Sequence, residues 1–192
     1  APGNQLVDYS VKVFYDDMFN LSPYQGSSTD DLDKMWDDLY GTARTLIDAH
    51  SAERLPNKTV RVNSGIHEGE YIVQFEVFHQ LHCLNSLRKS IYRDRFPEMN
   101  VLNADMTVNK TNVNHYEHCL DRIRQGIMCH ADVATIHWDW KDGSQLPFPI
   151  PAGRNGINMI NMETTHVCRD FERIKRWAME RNLDDWDKDQ II

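Results

Sequence analysis

His79-Gln80-Leu81-His82-Cys83 and His115-Tyr116-Glu117-His118-Cys119 are two copies of one pattern, H-x-x-H-C, and the rest of the chain is arranged around them. Residues three apart on an α-helix lie one turn apart on one face. Each copy therefore sets two imidazoles side by side. The flanking residues supply the helices. Around the first copy, Phe78, Leu81, Leu84, Leu87 and Ile91 recur at core spacing over about residues 78–93, beside a second stripe of His79, His82, Cys83, Ser86 and Ser90. Around the second, Tyr116, Leu120, Ile123 and Ile127 form the apolar stripe, and His115, His118, Cys119, Arg122, Gly126 and Cys129 the other. That helix is expected to start near Asn112 or Asn114, both good caps, and to end near Cys129. Packed face to face, the two helices bring four imidazoles together. A metal site built from two halves is predicted, with His79, His82, His115 and His118 as ligands. A lone histidine on a helix is ordinarily structural. Two copies of a five-residue pattern, holding four of the nine histidines, argue for ligation.

An all-imidazole site suits copper, zinc, nickel or iron, and divalent affinities peak at copper. Copper is the expected metal and zinc the second choice, since a structural zinc site would recruit thiolates. Cys83 and Cys119 each follow a histidine of the motif directly. They are read either as thiolate ligands or as disulfide partners that tie the helices. The even count of four cysteines, Cys83, Cys119, Cys129 and Cys168, suits two disulfides in an oxidising compartment. Cys119 and Cys129 are about 15 Å apart along one helix by the rise per residue, beyond disulfide reach. Two pairings stay open: Cys83–Cys119 with Cys129–Cys168, or Cys83–Cys129 with Cys119–Cys168. The sequons at Asn57 and Asn109 are glycosylation candidates that fit the same compartment; the one at Asn20 is weakened by the proline that follows it.

With 192 residues and a net charge of −8, the chain is long enough for a real core and lacks the basic patch that a nucleic-acid partner needs. No apolar run reaches membrane-spanning length. The chain opens Ala1-Pro2-Gly3 without an initiator methionine, as a processed product or a piece of a longer protein would.

Outward from the motifs, the expected class is helix-dominated α+β, with a few short strands and long loops. Residues 1–28 read as an N-terminal arm with a short strand at Val11, Val13 and Tyr15. Residues 29–183 read as a single metal-binding catalytic domain, and 184–192 as an acidic tail. Thr29 caps a helix whose stripe is Leu32, Met35, Trp36 and Leu39, with Trp36 in the core. Residues 42–55 suggest a further helical piece. Thr59–Val62 and Tyr71–Val77 read as strands, the latter either ending near Val77 or giving way early to the motif helix. A strand is expected over 135–140, then a Pro/Gly-rich loop over 143–156 that suits a lid. The last helix is expected from Thr164 or Thr165 to about Asn182, burying Val167, Phe171, Ile174 and Ala178.

The paired motifs carry a resemblance. The second continues as Cys119-Leu120-Asp121-Arg122-Ile123-Arg124-Gln125, with Cys129 and Asp132 beyond, and Thr165-His166-Val167-Cys168-Arg169-Asp170-Phe171 and Trp177 follow in order. Over about residues 30–180 the chain resembles the UstYa-like family of fungal secondary-metabolite biosynthesis. The resemblance implies an O2-using, copper-dependent oxidase that tailors a natural product by cyclisation of a peptide, hydroxylation, desaturation or C–H halogenation. It implies the four motif histidines as metal ligands, a small-molecule or peptide substrate, and a lumenal or secreted location with an N-terminal membrane anchor outside this sequence. Assembly with a second copy or another subunit is a further expectation. Candidate catalytic groups are His166 and Tyr116: Tyr116 as a redox relay, and His166, with His130 and His137, as an additional ligand or a proton relay. The competing reading is a non-catalytic, metal-stabilised accessory subunit of a biosynthetic complex.

Overall fold

The computed structural model describes residues 2–14, 21–41, 44–135, 137–142, 155–161 and 164–183. Its architecture is α+β and helix-dominated, as expected. The backbone forms two compact units. The first comprises Ala1–Asp8, Gly26–Ala131 and Asp170–Ile192, and the second Tyr9–Gln25 and Asp132–Arg169. The expected arm and the expected continuous domain are thus each divided between the two units.

The first unit holds the helices. Helix α1 (Asp30–Asp38) starts where Thr29 accepts a hydrogen bond from the Leu32 N–H, and its acidic first turn suits the positive helix end. Strand β2 (Thr45–Ile47) and the short α2 (Ala49–Glu53) stand where one helical piece was expected. The β-branched Thr45 and Ile47 favour extended backbone, and Asp48 then caps α2 by accepting from Ser51 N–H. Strand β3 (Tyr71–Val73) pairs antiparallel with β2, Thr45 opposite Val73 and Ile47 opposite Tyr71. Arg61 makes a single bridge to Tyr71 in place of the expected strand over 59–62. Gly69 (φ +92°) closes the intervening turn in the left-handed region.

Helix α3 (Glu76–Ile91) begins just after β3, so the run from Tyr71 to Val77 is part strand and part helix. Helix α4 (Lys110–His130) begins earlier than expected, because Asn109 is its cap and accepts from Asn112 N–H. Helix α5 (Phe171–Met179) is shorter than the helix expected from Thr164 or Thr165. Asp170 caps it, accepting from Arg173 N–H, and that side chain fixes the start.

Two apolar clusters hold this unit. Leu46, Val62 and Leu183 are buried together, with Ile72 against them. Phe78 is fully buried and meets Phe171 edge-on, while Phe75 stacks on Trp177. A polar tie joins α1 to α3. Asp33 bonds Arg88 at 2.6 Å and Arg95 at 2.7 Å. Burial alone would raise the Asp33 carboxyl, but hydrogen bonds from Ser28, Arg88 and Arg95 outweigh it and bring it down to about 2. Trp36, expected in the core, is half-buried with the Arg88 guanidinium over its ring.

The second unit holds two two-stranded ribbons. Strand β1 (Tyr9–Val13) pairs antiparallel with β6 (Thr165–Arg169), Ser10 opposite Cys168 and Lys12 opposite His166. Val167, expected in a buried helical stripe, is exposed on a strand; its β-branched character beside Thr165 suits that backbone. Strand β4 (His137–Asp142) pairs antiparallel with β5 (Gly156–Asn161). The expected lid over 143–156 lies outside the described residues up to 154, as does the acidic tail from 184 onward.

Candidate metal centre

Helices α3 and α4 face each other through the paired motifs. His79 stands opposite His118, ring centroids 5.5 Å apart, and His82 opposite His115 at 6.1 Å. Position numbers rise along one helix as they fall along the other, so the helices run antiparallel and every pair crosses between them. Arg122 of α4 also bonds Glu76 of α3 at 2.7 Å. Gly126 permits close approach at the same seam: a Cβ there would come 2.5 Å from Gln80 Nε2.

The seam is lined by the histidine stripes. Cys83 and Cys119 are fully buried and Ser86 is buried on the same stripe, while the buried Asn85 turns to Asp37 and Tyr40. The expected core stripes are only partly inside: Leu84 and Ile91 are exposed on α3, Leu120 is 58% and Ile127 69% exposed on α4, and Leu81, Leu87 and Ile123 are half-buried. Only Phe78 and Tyr116 of those stripes are buried. Sequence reasoning placed the interior one stripe off, because it ranked stripes by hydrophobicity and the thiols and small polar residues of the other stripe fit the narrow seam.

The donor geometry fits a metal. His79, Cys83 and His118 each offer one ligand atom, and these atoms lie within 4.8 Å of one another. The Cys83 sulfur is 3.8 Å from His79 Nε2, and Glu76 lies on the other side of that ring, 3.8 Å from Nδ1. Two imidazoles and a thiol form a donor set suited to copper or zinc. His82 and His115 form the neighbouring pair. Burial, then the charges of His115 and His79, hold the His82 imidazole below its ordinary value, which keeps its lone pair available near neutrality.

Two tyrosines support this pair. Tyr40 meets His82 edge-on at 5.3 Å, and it was missed by sequence reasoning because it lies beyond the end of α1. Its hydroxyl donates to Asp37 at 2.8 Å and accepts from the buried Asn85 at 2.9 Å. Burial first, then Asp37, pushes the phenol up to about 12. Tyr116, a candidate redox relay, stacks near His115 at 5.9 Å and donates to Met99 O at 2.5 Å. That bond locks the ring to the segment before α4.

All four cysteines are thiols in this structure. The Cys119 thiol is pushed up to about 12 by burial and then by the adjacent Cys83 sulfur. Cys83 and Cys119 are therefore the pair in contact. Cys129 is exposed on α4, and Cys168 lies on β6 in the second unit. Of the remaining candidates, His166 is buried in the second unit and bonds Asp132 at 2.6 Å. His130 is exposed and spends Nδ1 on Gly126 O at 2.8 Å. The His137 side chain lies outside the described residues. Asn57 is exposed, and Asn109 is half-buried with Oδ1 committed to the α4 cap.

A helix-dominated α+β chain with two H-x-x-H-C helices crossed at a histidine–cysteine seam defines a class, and the comparisons place it. The family profile described as mycotoxin biosynthesis protein UstYa matches residues 1–181, and the chain belongs to that family. Among curated relatives, UstYa family oxidase aprY of Aspergillus flavus is 32% identical over 155 residues, 76% of this chain and 43% of that protein. Oxidase ustYa of the same fungus is 36% identical over 107 residues, 56% of this chain and 40% of that protein. UstYa family oxidase phomYc of Diaporthe leptostromiformis is 31% identical over 165 residues, 82% of this chain and 59% of that protein. The chain thus spans roughly half the length of these relatives. No solved structure matches it.

Proposed function

We propose that this chain is a copper-dependent oxidase that tailors a secondary metabolite, a peptide or another small molecule. The observation that carries the reading is the crossed pairing of His79 with His118 and of His82 with His115. The relatives named as oxidases support the reaction type. Copper bound there would supply one-electron redox chemistry with dioxygen. His79, His82, His115 and His118 would hold it, and Tyr40 and Asn85 would keep the His82 ring from turning away. Cyclisation, hydroxylation, desaturation and C–H halogenation are the reactions within reach of such a centre.

We further place the chain in the secretory lumen, where Cys83 and Cys119 would close into a disulfide across the seam and Asn57 would carry a glycan. No helix among the described residues is long and apolar enough to cross a membrane. Assembly with a second subunit is part of the same reading.

The test is metal analysis of the purified chain. Near-stoichiometric copper with an electron paramagnetic resonance signal of nitrogen ligation, lost in His82→Ala and His118→Ala, is the expected result. A redox-silent metal, or unchanged copper in both variants, would overturn it in favour of a metal-stabilised accessory subunit or of no motif site at all.

A further inference from the structure

In the second unit, His166 is 9% exposed. Its Nδ1 lies 2.6 Å from Asp132 Oδ2. An ionised carboxylate only accepts, so Nδ1 carries the proton and Nε2 keeps a bare lone pair. The ring stacks on Phe14, centroids 3.6 Å apart and planes 14° from parallel. Ring position and tautomer are thus both set. Yet Nε2 is buried and has no hydrogen-bond partner among the described residues. Leaving a buried acceptor unpaired costs about 1–3 kcal/mol.

Ser10 Oγ is a second buried polar atom with no partner among the described residues. Ser10 stands opposite Cys168 on the β1–β6 ribbon. Directly opposed side chains share a face, as do residues two apart along a strand. Ser10, Cys168, Lys12 and His166 therefore lie on one face, and Val11, Val13 and Val167 on the other. Folding does not require this arrangement: a phenylalanine at 166 would pack on Phe14 without leaving a lone pair unpaired. An oriented ring with an unspent acceptor is what a binding group needs.

We propose that His166, aimed by Asp132, accepts the hydrogen bond of an N–H or O–H group on the molecule that this chain processes, and takes that proton in the reaction. The X–H bond breaks, its electron pair stays on X, and the proton forms the second N–H of an imidazolium held by Asp132. Solvent then removes it. Ser10 Oγ provides a second polar point on the same face. Asp132 acts through His166 and is a positioning residue. The Ala134 N–H and then His166 hold its carboxyl below the ordinary range, so it stays ionised for that role. The inference rests on the proposed function only in taking the chain to act on a small molecule or peptide; metal binding plays no part in it.

The probe is a metabolite extract of the source organism deleted for this gene, which accumulates the unprocessed precursor. The purified, metal-loaded chain is incubated with it, and precursor loss is followed by mass spectrometry. His166→Asn keeps a donor toward Asp132 and lacks Nε2; it should slow conversion by about 10²–10⁴-fold. His166→Gly should recover part of that rate with added imidazole, and Asp132→Asn should slow conversion roughly tenfold, within the range for outer partners. Nitrogen-15 spectra of the parent at neutral pH should show His166 protonated at Nδ1 alone, a signature lost in Asp132→Asn. Metal content should equal the parent's in all three variants. Parental conversion in His166→Asn, no rescue by imidazole, or a proton on Nε2 would overturn the proposal. Should His166→Asn fail to fold, the spectra and Asp132→Asn, altered at an exposed carboxylate, still decide. Loss of metal on changing His166 would overturn it as well, by making the ring a ligand. A parent that binds no metal would instead sink the oxidase reading.

Discussion

The α3–α4 seam and the β1–β6 ribbon hold histidines in opposite ways: His79, His82 and His115 are half-buried and His118 exposed at the seam, while His166 is buried in the ribbon. At the seam, four imidazoles face one another in crossed pairs, and their neighbours are buried thiols. No carboxylate approaches any of the four within hydrogen-bond distance among the described residues; Glu76 comes to 3.8 Å from His79. In the ribbon, one imidazole is locked by a carboxylate at 2.6 Å and a stacked phenyl ring. Burial, then the charges of His115 and His79, hold the His82 ring below its ordinary value, and His79, Cys83 and His118 offer ligand atoms within 4.8 Å of one another. A ring whose Nδ1 is spent on a carboxylate presents Nε2 alone. The first arrangement groups several donors, and the second fixes a single acceptor.

The effect that bears most directly on this contrast is on metal binding. A metal held across both helices stabilises the folded chain by about 2.7 kcal/mol at a hundredfold excess over Kd. His79→Ala with His82→Ala, or His115→Ala with His118→Ala, should abolish the whole gain in melting curves recorded with copper. Half the gain surviving in each would mean two independent sites.

Packing comes next. Phe78→Ala at the base of the seam should cost about 3–5 kcal/mol in denaturant unfolding. Gly156→Ala probes the second unit, since a Cβ there would sit 2.3 Å from Lys141 O, a backbone atom that cannot swing aside. About 1–3 kcal/mol, read as faster exchange of the β4–β5 amides, is expected. Unchanged exchange would show that the ribbon shifts freely.

A comparable effect is set by pH. Asp33 has its carboxyl lowered from 3.8 to about 2 in the folded chain. A depressed acid stabilises above its unfolded value, and that contribution is lost as pH falls through the folded one. The first unit should lose roughly 2 kcal/mol between about pH 4 and pH 2, and Asp33→Asn should remove that part of the acid dependence. The smallest change in stability sharpens the comparison at the thiols. Denatured, unreduced protein should show Cys83 and Cys119 joined in peptide mass maps, the pair that the seam puts in contact. Alkylation of both would restore the thiolate-ligand reading of Cys83.

Local spacing made the paired motifs legible. Three residues is close to one helical turn, so His79 with His82 and His115 with His118 follow from the chain's own periodicity. Thr29 as a cap followed from side-chain chemistry alone in the same way. The helix-dominated class and the family were readable for that reason. Element boundaries were less so. Asn109 rather than Asn112 starts α4, and Asp170 ends a strand where a longer helix looked plausible, because several residues nearby could cap and only tertiary contacts select one.

What the sequence determined by itself is therefore the local part: two histidines per helix, the caps, and the β-branched runs that became strands. Tertiary structure decided which stripe faces inward and which histidines meet. Leu120 and Ile127 stay in solvent while Cys119 and Gly126 are buried, since close helix approach selects small side chains over apolar ones. The bond from His166 to Asp132 spans 34 positions and joins the two ends of one stretch of the second unit, Asp132–Arg169. No periodicity encodes a contact at that distance; it exists only once the second unit has folded and brought β6 to the Asp132 carboxylate.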